Sequence, residues 1–590
     1  MVHFVGEAAM TPASIISAAG WYELAVMRRK GDLFDVARDG EKDLIVALYG
    51  VAVWLGETTR RQATAECILS RIVEGTEVAA HLDGSFQLAV VDGTRREVRL
   101  ISDHLASVPL FYSHLGRRLA FAPSGRGAGA ILGRRPRLSL PGAIGYLTVG
   151  YPLGDRTMLE SVSRVRPAHQ VLYHASEGAL RTSAYWDLRL GAGQRMSVRD
   201  AARELHTGVL EAHRSTLVDD PSEVHLALTG GWDSRLVLAA LCEIGRPPAR
   251  TFTWGGSSHV DGSDPDIATK VAAWAQVPHT VLSYDAADLI ANLDAWCLES
   301  EMLSDNTGHF AAGSRFLAEH GLSPAVVLIG DQLFGPGGMF SRRDDAVAGA
   351  LGIPWPELPP STEAILKSGA RGELLDAVGH QVEGILALCS SEHPKDLHHY
   401  LSFHTGLFGW LMAPGYYKEP VVAARRPLLT RTLLDLVTQW PREFRIDKKV
   451  EIAVLKKYHP GFHALPTQSS SALIDWRSTI GPSGILSGVI TRLVAGESLR
   501  QSELRQVVDF DKCTSLIAGL SDGKRNRIRR WEWAFEIRRA LARVPGQEWL
   551  VQAMSRVGRG ATGAGQRTTP TRLLFRVALL ERFSQLLEGS

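Results

Sequence analysis

Cysteine is scarce and scattered in this chain of 590 residues: Cys67, Cys242, Cys297, Cys389 and Cys513 are odd in number, far apart and form no CxxC pair. That excludes a disulfide framework and a zinc knuckle, and it fits reduced thiols in a cytosol. A basic segment followed by an apolar run is missing from the opening Met1-Val2-His3-Phe4, and no stretch reaches the length of a membrane span. The expectation is a cytoplasmic protein with no membrane partner. Excess charge is lacking too, with 65 Lys and Arg against 63 Asp and Glu for a net charge of +2. Nucleic acid is therefore not an expected partner, since its footprint is a clustered basic face.

What is present is an ordinary globular composition, 45% hydrophobic and 22% charged, in a chain too long for one core. Up to about residue 190, short β-rich runs alternate with turns, as in Leu44-Ile45-Val46-Ala47-Leu48 and Gln87-Leu88-Ala89-Val90-Val91 before Asp92-Gly93. Such spacing predicts packed antiparallel sheets. After Ser197 apolar runs of strand length are separated by amphipathic stretches of helix length, the pattern of a parallel sheet with crossover helices. The fold class is thus α/β, with one domain over residues 1–192 and a second over 193–590. Strands are expected at 224–228, 250–254, 279–284 and 325–329, and helices at 234–244 and 264–276. Near the C-terminus a basic helix is expected over 524–543, a Gly-rich loop over 558–565 and then a last helix.

Chemistry concentrates in Leu228-Thr229-Gly230-Gly231-Trp232-Asp233-Ser234. A strand, this loop and a helix bring backbone N–H groups and a helix N-terminus to one point, where phosphate oxygens are held by hydrogen bonds and by the helix dipole. Thr229 and Ser234 add hydroxyl donors. No Gly-Lys-Ser/Thr follows, so this is not a Walker loop; it matches the SGGxDS pattern of pyrophosphatase-type ATP enzymes, with Thr for the first Ser. The plainer alternative is a tight strand-to-helix turn capped by Asp233. About a hundred residues on, Gly330-Asp331-Gln332-Leu333-Phe334-Gly335 follows another apolar run. Asp331 would share the sheet edge with Asp233, and the two carboxylates could hold Mg²⁺ against a triphosphate.

These motifs, with their surroundings from about residue 40 to residue 460, resemble the asparagine synthetase family. Leu82-Asp83-Gly84-Ser85-Phe86 through Asp103, Pro109, Leu110, Phe111 and Tyr112 looks like the LDGxFAF…RDxxGxxPLYY signature of its glutaminase domain. Arg425-Arg426-Pro427-Leu428-Leu429 resembles its RxPFLD box, and Thr253 and Trp254 lie where its second strand contacts adenine. The resemblance implies an Ntn-hydrolase-like antiparallel β-sandwich followed by a parallel-sheet ATP-pyrophosphatase-type synthetase domain. It also implies ATP and Mg²⁺ as cofactors, with Leu228, Thr229, Gly230, Gly231, Asp233, Ser234, Thr253, Trp254 and Gly330 at the nucleotide.

The departures bear on the substrate. The family's glutaminase uses an N-terminal cysteine, and here Val2 and His3 follow Met1, so this domain is expected to be a retained scaffold. The residue that asparagine and β-lactam synthetases place between Gly and Asp of the second motif to handle the amine is missing, because Gly330 runs directly into Asp331. The family's RPK-like lysine is also missing after Leu465-Pro466, and Lys449 is the expected substitute. The combination looks like the cyclases of lasso peptides, which adenylate an Asp or Glu side chain of a precursor peptide and join it to the peptide's own amine. That resemblance implies a leader-binding protein and a leader peptidase as further partners. The rival readings are an ammonia-dependent asparagine or small-lactam synthetase and a non-catalytic peptide-docking scaffold. His398, His399 and His404 crowd one segment, with no carboxylate at a zinc-ligand spacing.

Overall fold

A computed structural model describes residues 2–3, 14–19, 22–26, 34–56, 62–217, 223–255, 260–283, 286–305, 325–331, 334, 339–412, 422–469, 487–521 and 569–589. The expected basic helix at 524–543 and Gly-rich loop at 558–565 lie outside the described residues; the last helix is Pro570–Glu588.

The first part is built on a six-stranded antiparallel sheet in the order Ala179–Ala184, His169–His174, Glu97–Ser102, Leu82–Asp92, Leu44–Trp54, Phe34–Asp39. Strand periodicity explains its two-sided burial. Ile45 and Ala47 face a core shared with Tyr112 and Phe121 of a three-stranded sheet, while Leu44, Val46 and Leu48 pack toward Ala65 and Ile68 of the helix Ala65–Val73. A further three-stranded sheet near the N-terminus departs from the antiparallel expectation in one pair, Val2–His3 running parallel to Tyr22–Val26.

The second part carries a five-stranded parallel sheet in the order His279–Ser283, Arg250–Gly255, Val224–Ala227, Ala325–Ile329, Val422–Arg425. The chain starts in the middle, builds outward to one side, then returns to build the other. The order therefore reverses between Val224–Ala227 and Ala325–Ile329, and at such a switch point the connections leave in opposite directions and open a crevice beyond the strand ends. Helix Trp232–Glu243 follows the central strand, and its apolar residues from Leu236 to Leu241 are buried against the sheet. Among the described residues no helix is long and apolar enough to cross a membrane.

Polar contacts join the two parts. Asp83 accepts from the backbone N–H of Arg431 at 3.1 and 3.3 Å, His104 Nε2 lies 2.6 Å from the carbonyl of Leu429, and Trp186 Nε1 donates to Asp435 at 2.9 Å. The last helix is pinned by Asp305, which accepts from Arg572 at 2.7 and 2.9 Å, from Arg576 at 2.9 Å and from Trp410 at 3.1 Å. Burial pushes the Asp305 pKa up, but the Arg572 and Arg576 guanidiniums outweigh it and hold the carboxyl below the usual range.

Arg576 is fully buried, so Asp305→Asn, which leaves its charge unmatched, should cost about 3–5 kcal/mol in thermal or denaturant unfolding at neutral pH. Because the folded pKa is depressed, this stabilisation is complete above the unfolded value of about 4 and is lost as pH falls through the folded one. The stability gap between wild type and variant should accordingly narrow in acid; a gap that is constant with pH would remove the charge from the explanation.

Candidate active site at the switch point of the parallel sheet

Leu228 ends the central strand fully buried, its N–H bonded to the Phe252 carbonyl at 2.9 Å. The turn that follows is closed by its own hydroxyls. Ser234 Oγ accepts from the Thr229 N–H at 3.0 Å and lies 2.9 Å from Thr229 Oγ1, which in turn accepts from the Gly231 N–H at 3.3 Å. The Gly230 N–H donates to Asp264 Oδ1 at 2.8 Å. Helix Trp232–Glu243 opens at Gly231 with no side-chain cap, so its first-turn N–H groups are available to an anion. Thr253 donates its hydroxyl to the Leu228 carbonyl, bracing the strand end from the neighbouring strand. Trp254 is partly buried at the end of that strand, its ring 5.8 Å from Phe252.

The glycine on which geometry depends most is Gly330. A Cβ there would lie 2.6 Å from both the N and Cα of Ser234, backbone atoms that cannot step aside. At Gly230 and Gly231 the nearest atoms would stand at 3.1 and 3.4 Å. Gly330 thus lets the second motif touch the first turn of the helix that follows the loop.

Asp233 is buried, with Oδ2 2.5 Å from Lys448 Nζ. Glu451, also buried, hydrogen-bonds the Asp233 carboxylate. Burial, and then the Asp233 charge, push the Glu451 pKa well above the ordinary carboxylate value, against the pull of Lys448. Asp331 pairs with Arg426 Nε at 2.6 Å, from the residue just past the edge strand Val422–Arg425.

The lysine beside Asp233 is Lys448, while the Lys449 ammonium sits over the Phe444 ring, 5.0 Å from its centroid. Lys449, the lysine expected from the resemblance, is thus not the one paired with Asp233. Asp447 and Lys448 take left-handed φ values of 51° and 55° just before the helix Lys449–Tyr458 begins. Two successive non-glycine residues held in this region are strained.

Arg235, Glu451 and Lys448 were not singled out by the sequence. Arg235 is fully buried without a carboxylate and donates to the carbonyls of Phe462 at 3.1 Å, Leu465 at 2.9 Å and Pro466 at 2.6 Å. Burial pushes its pKa down to about 10, so it stays charged at neutral pH. It draws the segment after Leu465-Pro466 over the loop, where the Gln468 N–H reaches the Gly230 carbonyl at 3.2 Å. The available signal was its position next to Ser234 on a helix whose neighbours are apolar. Of the three crowded histidines, His404 lies 3.0 Å from Asp187, and His398 and His399 pack on Phe340 and Phe334.

Residues 52–186 match the glutamine amidotransferase domain family and residues 208–401 the asparagine synthase family. The two matches, in this order on one chain, support the asparagine synthetase family and ATP-dependent amide-bond formation. No curated protein matches the chain. Among solved structures it is similar to U34-tRNA thiolase NcsA from Methanococcus maripaludis, at 13% identity and TM-score 0.20 over 46% of this chain and 77% of that one. It is also similar to glutamine phosphoribosylpyrophosphate amidotransferase from B. subtilis, at 9% identity and TM-score 0.16 over 53% of this chain and 59% of that one. A third is NAD+ synthetase from Burkholderia pseudomallei, at 14% identity and TM-score 0.18 over 47% and 92% of the respective chains.

Substrate-dependent exchange of pyrophosphate into ATP should fall by about 10²-fold or more in Lys448→Ala and stay within about threefold in Lys449→Ala. The reverse ranking would return the role to Lys449. Gly330→Ala should lose the exchange and also lower the Tm, because the added Cβ clashes with backbone atoms of Ser234.

Proposed function

We propose that the chain is an ATP-dependent peptide macrocyclase of the lasso type, forming an isopeptide macrolactam. The observation that carries this reading is that Gly330 runs straight into Asp331, whose carboxylate is held by Arg426. The second motif thereby offers no side chain of its own to manage a separate small amine.

In this reading the loop from Leu228 to Ser234 binds the phosphates of ATP through the open first turn of its helix. A carboxylate oxygen of an Asp or Glu side chain in a precursor peptide attacks the α-phosphorus, and pyrophosphate leaves. The peptide's N-terminal amine then attacks the acyl carbon, AMP departs, and the amine's proton is released. Thr229, Gly230, Gly231 and Ser234 position the phosphates, and Lys448 offsets negative charge beside Asp233. Asp233 and Asp331, two acidic side chains at the same edge of the sheet, suit a hard cation by the chemistry of their oxygens; they would hold Mg²⁺, which would supply positive charge against the departing pyrophosphate. Much of the acceleration in the second step comes from holding amine and acyl group together, since a prefolded peptide has already met the orientational cost. Thr253 and Trp254 lie at the strand end where the adenine would rest. A leader-binding protein and a leader peptidase are the partners this reading implies.

The test is incubation of the purified chain with ATP, Mg²⁺ and candidate short peptides that carry a free N-terminal amine and an Asp or Glu side chain. The expected product is lighter by one water, carries an isopeptide bond and is absent with Asp233→Ala. Turnover of free aspartate and ammonia alone would replace this reading with that of a small-molecule synthetase. Full biological output from Asp233→Ala would replace it with that of a docking scaffold.

A further inference from the structure

Away from the switch point, a second constellation joins the C-terminal ends of two helices to the middle of a third. His206 lies within the helix Val198–Thr216, Glu243 is the last residue of Trp232–Glu243, and His459 directly follows Lys449–Tyr458. Their ligand atoms all lie within 4.8 Å of one another. Glu243 Oε2 stands 2.9 Å from His206 Nε2 and 3.3 Å from His459 Nε2. A tetrahedral ion with bonds of about 2.0–2.2 Å sets neighbouring donors about 3.3–3.5 Å apart.

Two plain hydrogen bonds to Glu243 are the simpler account, and His459 argues against it. Its side chain is only 9% exposed, and its Nε2 is buried with no hydrogen-bond partner despite pointing toward the Glu243 carboxylate. The His206 ring is held in place by stacking on Tyr458 at 3.8 Å, with the two planes 1° apart. We propose that His206, Glu243 and His459 form a site for a single zinc-class divalent cation, with two imidazole nitrogens and one carboxylate oxygen as ligands.

The donor set suits a borderline-soft ion, and the half-exposed Glu243 leaves a further coordination position open to solvent. The near ends of two of these helices carry the phosphate loop and Lys448. The ion is therefore a structural clamp that fixes how those two helices splay, at a distance from the reacting groups.

The full chain, stripped with a chelator and dialysed, would be titrated with Zn²⁺ by calorimetry and with Co²⁺ by visible absorption. One equivalent per chain, cobalt bands of low coordination number and a rise in Tm on adding Zn²⁺ are expected. His206→Ala, His459→Ala and Glu243→Gln should each weaken Zn²⁺ binding by about 100-fold or more and abolish the rise in Tm. Unfolding in chelator, where all four proteins should behave alike, guards against a folding defect, and Glu243→Gln at the most exposed of the three positions serves if a histidine variant does not fold. Zn²⁺ binding that is absent in wild type, or equally tight in the variants, would overturn the proposal.

Discussion

The close approach of Gly330 to the backbone of Ser234 is the contact on which the rest of the site depends. Two adjacent parallel strands, Val224–Ala227 and Ala325–Ile329, end at the same edge of the sheet. Their continuations can share a crevice only if one of them passes against the first helical turn of the other. A side chain on residue 330 would separate them and, with them, Asp233 from Asp331. The phosphate loop is often described through its own glycines, but here those positions are the less crowded ones. The indispensable absence of a side chain lies a hundred residues downstream.

Charge is the second constraint. Asp233 and Glu451 are buried together with one ammonium, Lys448, between them, so the cluster is one positive charge short of neutrality. A low-dielectric site does not tolerate such an excess, and the molecule relieves it by favouring the protonated form of Glu451. On the other side, Asp331 is matched by Arg426. The Asp233–Lys448 pair thus stands at the head of the helix that follows the glycine loop.

How much of this was legible in the sequence follows from what each element depends on. The strands and the loop were legible because burial on a parallel sheet writes continuous apolar runs, and a phosphate-binding turn needs small residues and hydroxyls at fixed offsets. That Lys448, and not Lys449, is the lysine paired with Asp233 depends on a left-handed break at Asp447 and Lys448, and nothing in Asp-Lys-Lys announces such a break. Glu451 and Arg235 were illegible for another reason. A charged residue on a helix is nearly always solvated, and only the packing of separate helices reveals that these two are buried. The His206, Glu243 and His459 trio is assembled from three elements spread over some 250 residues, with no local spacing to betray it.

The amidotransferase-type domain has a physical role that does not depend on glutamine chemistry. Asp83, from the segment that resembles the family's glutaminase signature, spends its carboxylate on the backbone N–H of Arg431, and His104 reaches the carbonyl of Leu429. These two contacts grip the same short stretch that opens with Arg425 and Arg426, and Arg426 is the residue that holds Asp331. A continuous line of hydrogen bonds and backbone therefore runs from the core of the first domain to a carboxylate at the switch point. Losing the domain would release the stretch that positions Arg426, and with it the orientation of Asp331.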